Sequence, residues 1–491
     1  MQKHYKRPRR PGALGKVISW FTVAVCLLLV LYVGTVRLPS SSSSPKYYRR
    51  RLDGSSKHAK LCDENFGEAW LAQWNDSAKA LCQPGSASGS TQLTCRSMDD
   101  QHMTQASQPH VLCDAVNLKV DPSHMLAASC LKHRPNYLCN FGTTYNRYLP
   151  GAFGMACTSA IKSLKQFPKD HLQDIMDSMA RISPETAAQV QSREALPSLL
   201  VTREVTEHVN VFHTLTDLLN VYISLRMLGL ENQSRQVIMM DRHMAGPLDG
   251  LWPAVAAGAG FAALDTSLER LSSGGAGTVR QLHTLNKTML QQAIFVPPGY
   301  TSLLYAHGHE DNSCPYNTAL FKGFREWFLG TLSLPSQGPS RAGQPVRVVL
   351  ISRKPYGKKK RVARQIHNEQ ELFAMVEQVQ GVQARLIDLA HISLAEQIQL
   401  VSSGTDILIG MHGAALAWSL MMPPGTALLE LWPQPNMWRL YEHTAQWAGL
   451  HYRHWASQDK MPHSVLEPPT SVDVQAIAAL LKALVAAVHK A

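Results

Sequence analysis

The chain has 491 residues, enough for two or three domains, and its 45% hydrophobic and 17% charged content is that of a globular body rather than a disordered or fibrous one. A formal charge of +12 would suit a nucleic-acid binder, but residues 1–51 hold eleven Lys and Arg and no acid, which leaves 37 bases against 36 acids in the remainder. The basicity belongs to the N-terminal tail, and no nucleic-acid partner is expected.

Beyond a basic tail over residues 1–16, Val17–Val36 reads VISWFTVAVCLLLVLYVGTV, with no Asp, Glu, Lys, Arg or His. At about 1.5 Å per residue such a helix spans about 30 Å, the thickness of a bilayer's hydrocarbon core. The run is long for a cleaved signal peptide and lacks a clear small-x-small site, so an uncleaved signal anchor is predicted. Bases flank both of its ends, and the orientation comes from other features. The sequons Asn75, Asn232 and Asn286, and eight of the nine cysteines, all follow the anchor. An even cysteine set without any C-x-x-C spacing fits disulfides in an oxidising lumen better than a zinc site. The expectation is a single-pass type II protein with a luminal body and a membrane partner only through Val17–Val36.

Residues 37–60 carry PSSSSSP and YYRRR without an apolar period and read as a stem. Residues 61–195 form a cysteine-rich region ending in a polar helix. From residue 196 strands and helices alternate: LLVTRE, the helix NVFHTLTDLLNVYISLRMLG stopping at Gly229, the strand QVIMMD, the helix around LWPAVAAG and the strand AIFVPPG. A Ser/Gly/Pro-rich linker closes this 196–335 segment. Residues 344–465 repeat the alternation more cleanly, from VRVVLISR through DILIGM and TALLEL to the helix MWRLYEHTAQWAG. Residues 466–491 supply a closing helix with Ser471 as the expected N-cap. Apolar strands alternating with helices predict an α/β fold with two facing Rossmann-like domains, GT-B-like in plan, and a cleft between them.

Ligands in parallel sheets bind beyond the carboxyl ends of the strands. His412, Gly413 and Ala414 stand at such an end, where small residues and a following helix N-terminus suit a phosphate or, equally, permit a tight strand–helix crossing. Arg353 ends a strand, and Arg361 and Arg364 follow in a basic loop with Lys358–Lys360. Arginine grips phosphate bidentately, whereas the lysines read as a solvated loop. Glu430, at the end of ALLEL, is placed to take ribose hydroxyls or to partner a helix end. Asn210, His213 and Asp217 share one helical face, with His213 and Asp217 spaced as a general-base pair or as a structural pair at a helix start. Asp241 ends a neighbouring strand. No D-x-D occurs in the body, so the usual carboxylate clamp for nucleotide-bound Mn²⁺ is missing and no metal ligand is assigned. GxGxxG and GxxxxGK[ST] are absent as well.

LLVTREVTEHVNVFHTLTDLLNVYISLRMLGL, GMHGAALAW and PPGTALLEL together resemble glycosyltransferase family sixty-one. VLCDAVNLKV and AIFVPPGYTSLLY make the chain most similar to the family's N-glycan core β-1,2-xylosyltransferases. Relatives commonly read H-G-A-G-L-T-H where Ala415 and Trp418 stand here. The resemblance implies an inverting, Golgi-anchored transferase that uses a UDP-sugar donor, needs no obligatory cofactor or metal, and acts on an N-glycan or glycoprotein acceptor. It implies diphosphate contacts from Arg353, Arg364 and the His412–Ala414 corner, with His213 or Asp217 as base and Asp241 as the alternative. Transfer of GlcNAc to protein, or a silent lectin-like role, are the other activities open to this family.

Overall fold

The computed structural model describes residues 56–491 except 87–88, 99–108, 129–144, 165–171, 204–209, 259–277, 306–313, 315–316, 336–337, 341–342, 356–361, 459–468 and 491. The tail, the anchor and nearly all of the stem lie outside the described residues, as do Arg361, Cys130 and Cys139. Among the described residues no helix is long and apolar enough to cross a membrane.

The larger sheet contains β1 (Lys79–Cys82), β2 (Gln92–Met98) and β3 (His110–Val120). A separate pair, β4 (Met125–Ala128) and β5 (Tyr145–Tyr148), follows; β6 (Phe153–Met155), β7 (Met179–Arg181) and β8 (Ser192–Glu194) then join the margins of the larger sheet. Next come β9 (Ser198–Val201), β10 (Gln236–Met239), β11 (Val279–Gln281) and β12 (Thr288–Phe295), giving the order β1-β2-β3-β12-β9-β10-β11. Strands β12, β9, β10 and β11 are parallel, while β1, β2 and β3 extend them antiparallel. Two expectations are corrected here. This sheet is mixed rather than parallel throughout, and the boundary expected at residues 195 and 196 runs through a single sheet. Within the cysteine-rich segment the strand β3 alone runs eleven residues, mostly buried.

Disulfides Cys62–Cys314, Cys82–Cys157 and Cys95–Cys113 fasten this region. Cys95 and Cys113 are direct partners across β2 and β3, and Cys62–Cys314 closes a separation of 252 residues.

The second sheet is β13 (Val346–Ser352), β14 (Val382–Asp388), β15 (Ile407–Met411), β16 (Ala427–Trp432) and β17 (His451–Ala456), in the order β14-β13-β15-β16-β17 and parallel throughout. The chain steps from β13 to β14 on one side and returns to β15 on the other. The carboxyl ends of β13 and β15 therefore flank a topological switch point, where open α/β sheets bind ligands. Helices Glu369–Gln378 and Val474–Val488 share a core with this sheet. The closing helix is capped by Asp473, whose carboxylate accepts from Ala476 N, and not by Ser471. Asn368 holds Val472 through both its N–H and its carbonyl, so the chain stays extended past Ser471.

Helix Val211–Leu228 explains how the halves hold together. It is apolar on nearly all sides, with every residue from Thr214 to Leu225 buried, as a helix packed on both flanks must be. One hydrophobic cluster runs through Leu215 and Leu218 of this helix to Val349, Leu408, Leu416 and Trp418 of the second half. Gly229 ends the helix in the left-handed region at φ 67°, where glycine carries no Cβ penalty.

Candidate active site

A cleft of about 820 Å³ opens at the switch point. Asn210, Phe212, His213 and Tyr305 line it from the first half, and Arg364, His412, Gly413, Ala414 and Tyr441 from the second. The loop Pro433–Trp438, leaving β16, forms the remaining wall.

His412 begins where β15 ends, its N–H donating to Leu431 O at 2.8 Å. Its Nδ1 bonds Glu430 Oε1 at 2.5 Å, and the Tyr452 hydroxyl donates to Glu430 Oε2 at 2.6 Å. Glu430 is 0% exposed and His412 5%. Both carboxylate oxygens are committed inside the sheet, so Glu430 does not take ribose hydroxyls as expected; it orients the imidazole. The Tyr441 ring meets His412 edge-on at 5.1 Å. Burial, helped by the Glu430 charge, pushes the Tyr441 phenol far above its usual range, against an opposing pull from Arg364 and Arg353. Burial, again with Glu430, raises the Tyr452 phenol likewise. Both phenols remain proton donors.

Arg364 donates from Nη1 to His412 O at 3.0 Å and sits at φ 60°, a left-handed conformation unusual outside glycine. Arg353 stands behind Gly413. A Cβ built on Gly413 would fall 2.3 Å from Arg353 Nη1. The small residue at this corner therefore makes room for a guanidinium of the chain itself. Ala414 lines the cleft. Trp418 is buried in the core and donates to Gln397 Oε1 at 3.1 Å, so it does not stand at the cleft.

Across the cleft, Asn210 caps the helix by accepting from Phe212 N at 3.0 Å. His213 Nδ1 is hydrogen-bonded to the Tyr305 hydroxyl. Asp217 is buried one turn deeper, with its carboxylate against Gly299, where a Cβ would meet Oδ1 at 2.4 Å. It lies outside the lining of the cleft, and as a base it is corrected: the polar residue that joins His213 at the cleft wall is Tyr305. Asp241 is corrected too. It is fully buried and bonded to Arg203 Nη2 at 2.7 Å and to the N–H groups of Arg203 and His243. Burial alone would raise its carboxyl, but Arg203 outweighs that and holds it at about 2. A carboxylate so acidic and enclosed is a poor proton acceptor.

Tyr305, Tyr441, Tyr452 and the Pro433–Trp438 loop escaped the sequence reading. The available signal was PQPNMW, an amide-bearing aromatic loop directly after an apolar parallel strand. The asparagines of all three sequons are exposed, and Asn75 accepts from Arg96 Nε at 2.8 Å.

Residues 211–429 match a family model described as glycosyltransferase 61. The chain is 25% identical over 316 residues to a β-1,2-xylosyltransferase of Arabidopsis thaliana, covering 56% of this chain and 55% of that protein. It is 27% identical over 258 residues to an EGF domain-specific O-linked N-acetylglucosamine transferase of Bos taurus, covering 52% and 44%. With the Drosophila melanogaster protein of the same name it shares 32% over 145 residues, 29% of this chain and 25% of that one. The chain thus spans about half, or less, of the length of these relatives. His213, Arg353, Arg364 and His412 fall inside the family match, whereas Glu430, Tyr441 and Tyr452 lie just beyond it. The likeness to glycosyltransferase family 61 is thus carried by the stretch 211–429.

Proposed function

We propose that this chain is an inverting glycosyltransferase that moves xylose from UDP-xylose to the core mannose of N-glycans. The observation that carries the proposal is the joining, in one cleft, of Arg364 and the Glu430-bound His412 on one wall with His213 on the other. Cations at a sheet's switch point suit a nucleotide diphosphate. Arg364, with Arg353 behind Gly413, stabilises the charge that develops on the departing UDP. His213, tied at Nδ1 to the Tyr305 hydroxyl, accepts the proton of the acceptor hydroxyl. That oxygen attacks C1 of the sugar from the face opposite the phosphate, so the anomeric centre inverts. Trp438, 47% exposed at the rim, offers an indole face to an acceptor pyranose. No metal is needed in this account, since the arginines supply the charge; activity is expected to survive EDTA.

Transfer of GlcNAc to protein is the second reading, favoured by the 32% identity to the Drosophila protein. The purified luminal body, offered a panel of UDP-sugars with a truncated N-glycan and a folded protein acceptor, separates the two by mass spectrometry. Xylose on the glycan supports the first reading; GlcNAc on the protein replaces it; no transfer from any donor removes both. The three disulfides and the exposed sequon asparagines support a Golgi-luminal body on a type II anchor. An expressed full chain whose mobility is unchanged by endoglycosidase would count against that location.

A further inference from the structure

Three phenols stand at the site, and two of them have partners. The Tyr452 hydroxyl donates to Glu430 Oε2, and the Tyr305 hydroxyl is bonded to His213 Nδ1. The third, Tyr441, has no hydrogen-bond partner among the described residues. The residue is 3% exposed, and its ring is met edge-on by Phe212 of the first half at 5.9 Å and by His412 of the second at 5.1 Å. The far end of its helix, Leu440–Trp447, is fixed by Trp447, which stacks on Phe66 at 5.0 Å and on Phe321 at 4.9 Å. Trp447 Nε1 is shut in the core without a partner, whereas the Tyr441 hydroxyl stays open to the cleft that this residue lines. A hydroxyl withdrawn from bulk water and left unpaired is costly. On a rigid mount it is also a donor whose direction is set before any ligand arrives.

What meets it follows from charge. Arg364 lines the same cleft, Arg353 stands against Gly413, and the Tyr441 phenol lies within the field of both guanidiniums. Among the described residues no Asp or Glu lines the cleft. Glu430 is committed to His412 and Tyr452, and Glu442, on Tyr441's own helix, lies 3.7 Å from Arg439 Nε. Cations and a neutral O–H with no carboxylate among them suit an anion that carries several acceptor oxygens.

We infer that the Tyr441 hydroxyl is a binding group for the sugar donor, giving a hydrogen bond to an oxygen of its diphosphate beside Arg364 and Arg353. The inference rests on the UDP-sugar reading of the site and adds to it a ligand group from a further element, the helix that follows β16. Burial keeps the phenol protonated, so the hydroxyl donates to the phosphate and does not titrate against it. Because the bond exists only when the ligand is present, the free protein gains no stability from this oxygen.

Tyr441→Phe is the test, since it keeps the ring against Phe212 and His412 and removes one oxygen. The purified body, wild type and variant, is titrated calorimetrically with UDP, and uridine is measured by competition against UDP, beside a thermal melt. UDP affinity is expected to fall about tenfold or more, while uridine affinity is unchanged. Tm should hold or rise, because the substitution deletes a buried hydroxyl that had no partner. UDP affinity equal to wild type overturns the inference. So does a loss shared equally by uridine, which assigns the hydroxyl to the nucleoside, and so does a fall in Tm with both ligands weakened, which makes it structural. In each of these cases the UDP reading stands. A wild-type body that binds no UDP overturns the reading beneath it.

Discussion

Gly413→Ala adds one methyl group to the corner where β15 meets the cleft, and the structure fixes what that methyl meets. The backbone at Gly413 is extended, φ 162° and ψ 171°, a conformation alanine adopts without strain. The whole conflict is steric: Arg353 Nη1 at 2.3 Å, Cζ at 3.4 Å and Nη2 at 3.8 Å from the new carbon. All three atoms belong to one guanidinium at the end of a flexible side chain, so Arg353 swings aside while the backbone stays. Stability should change by no more than about 1 kcal/mol, a shift of a few degrees at most in Tm for a domain of this size. If Arg353 grips the diphosphate, its displacement removes a charge-assisted hydrogen bond worth about 1.5–3 kcal/mol, so UDP affinity should fall about ten- to a hundredfold. Calorimetric titration with UDP beside a thermal melt reads both quantities. The double variant Gly413→Ala/Arg353→Ala should bind UDP no worse than Arg353→Ala alone, because both changes remove the same contact. Additive losses in the double variant, or UDP affinity unaltered in Gly413→Ala, would refute the assignment of Arg353 to the phosphate.

Arg364→Gly should cost UDP affinity by a similar factor while Tm holds or rises, since glycine relieves a left-handed backbone worth about 1–3 kcal/mol; a fall in Tm with affinity intact would make Arg364 structural. His213→Ala should reduce turnover about 10²–10⁴-fold with UDP binding unchanged, whereas Asp217→Asn should lower Tm and leave turnover near wild type, because its carboxylate packs on Gly299. The reverse pattern in steady-state kinetics would return the base role to Asp217. Asp241 is held at about 2, below the ordinary value of 3.8, so its ionised form stabilises the fold at and above about pH 4, and that contribution, about 2 kcal/mol, drains away as pH falls toward 2. Urea midpoints measured across this range should drop less steeply for Asp241→Asn than for wild type.

The second half of the fold was legible because its three central strands are almost wholly buried, mainly apolar runs. VRVVLIS, DILIGM and TALLEL can pack only inside a parallel sheet, and Ser393 with Glu396 marks a helix start by a capping box that forms as written. The closing helix shows the limit of such local signals. Ser471 reads as the cap, yet Asp473 takes the role, because Asn368, more than a hundred residues away, holds Val472. The first sheet was misread for a related reason. Its β2 and β3 lie among turn formers and cysteines, and the pairing of β3 with β12 is a long-range fact that no local period carries.

At the site, residue type was legible and partnership was not. His412 and Arg364 were found because a strand's carboxyl end is a place where polar residues have a purpose. Glu430 was found at the same kind of place and then given the wrong partner. A lone carboxylate in ALLELW must be buried if the strand is central, and burial forbids it to serve as an open acceptor for a ligand's hydroxyls. Its partners must come from neighbouring strands at the same height, which is where His412 and Tyr452 stand. Asp217 and Asp241 were misplaced by the same omission. Asp217 was judged by its spacing from His213 and Asp241 by its place at a strand end, while the structure sets one against Gly299 and the other on Arg203. For an acidic residue in an apolar element, then, depth decides the role before spacing does: at the surface it can meet a substrate, and in the sheet it can act only through the side chain it holds.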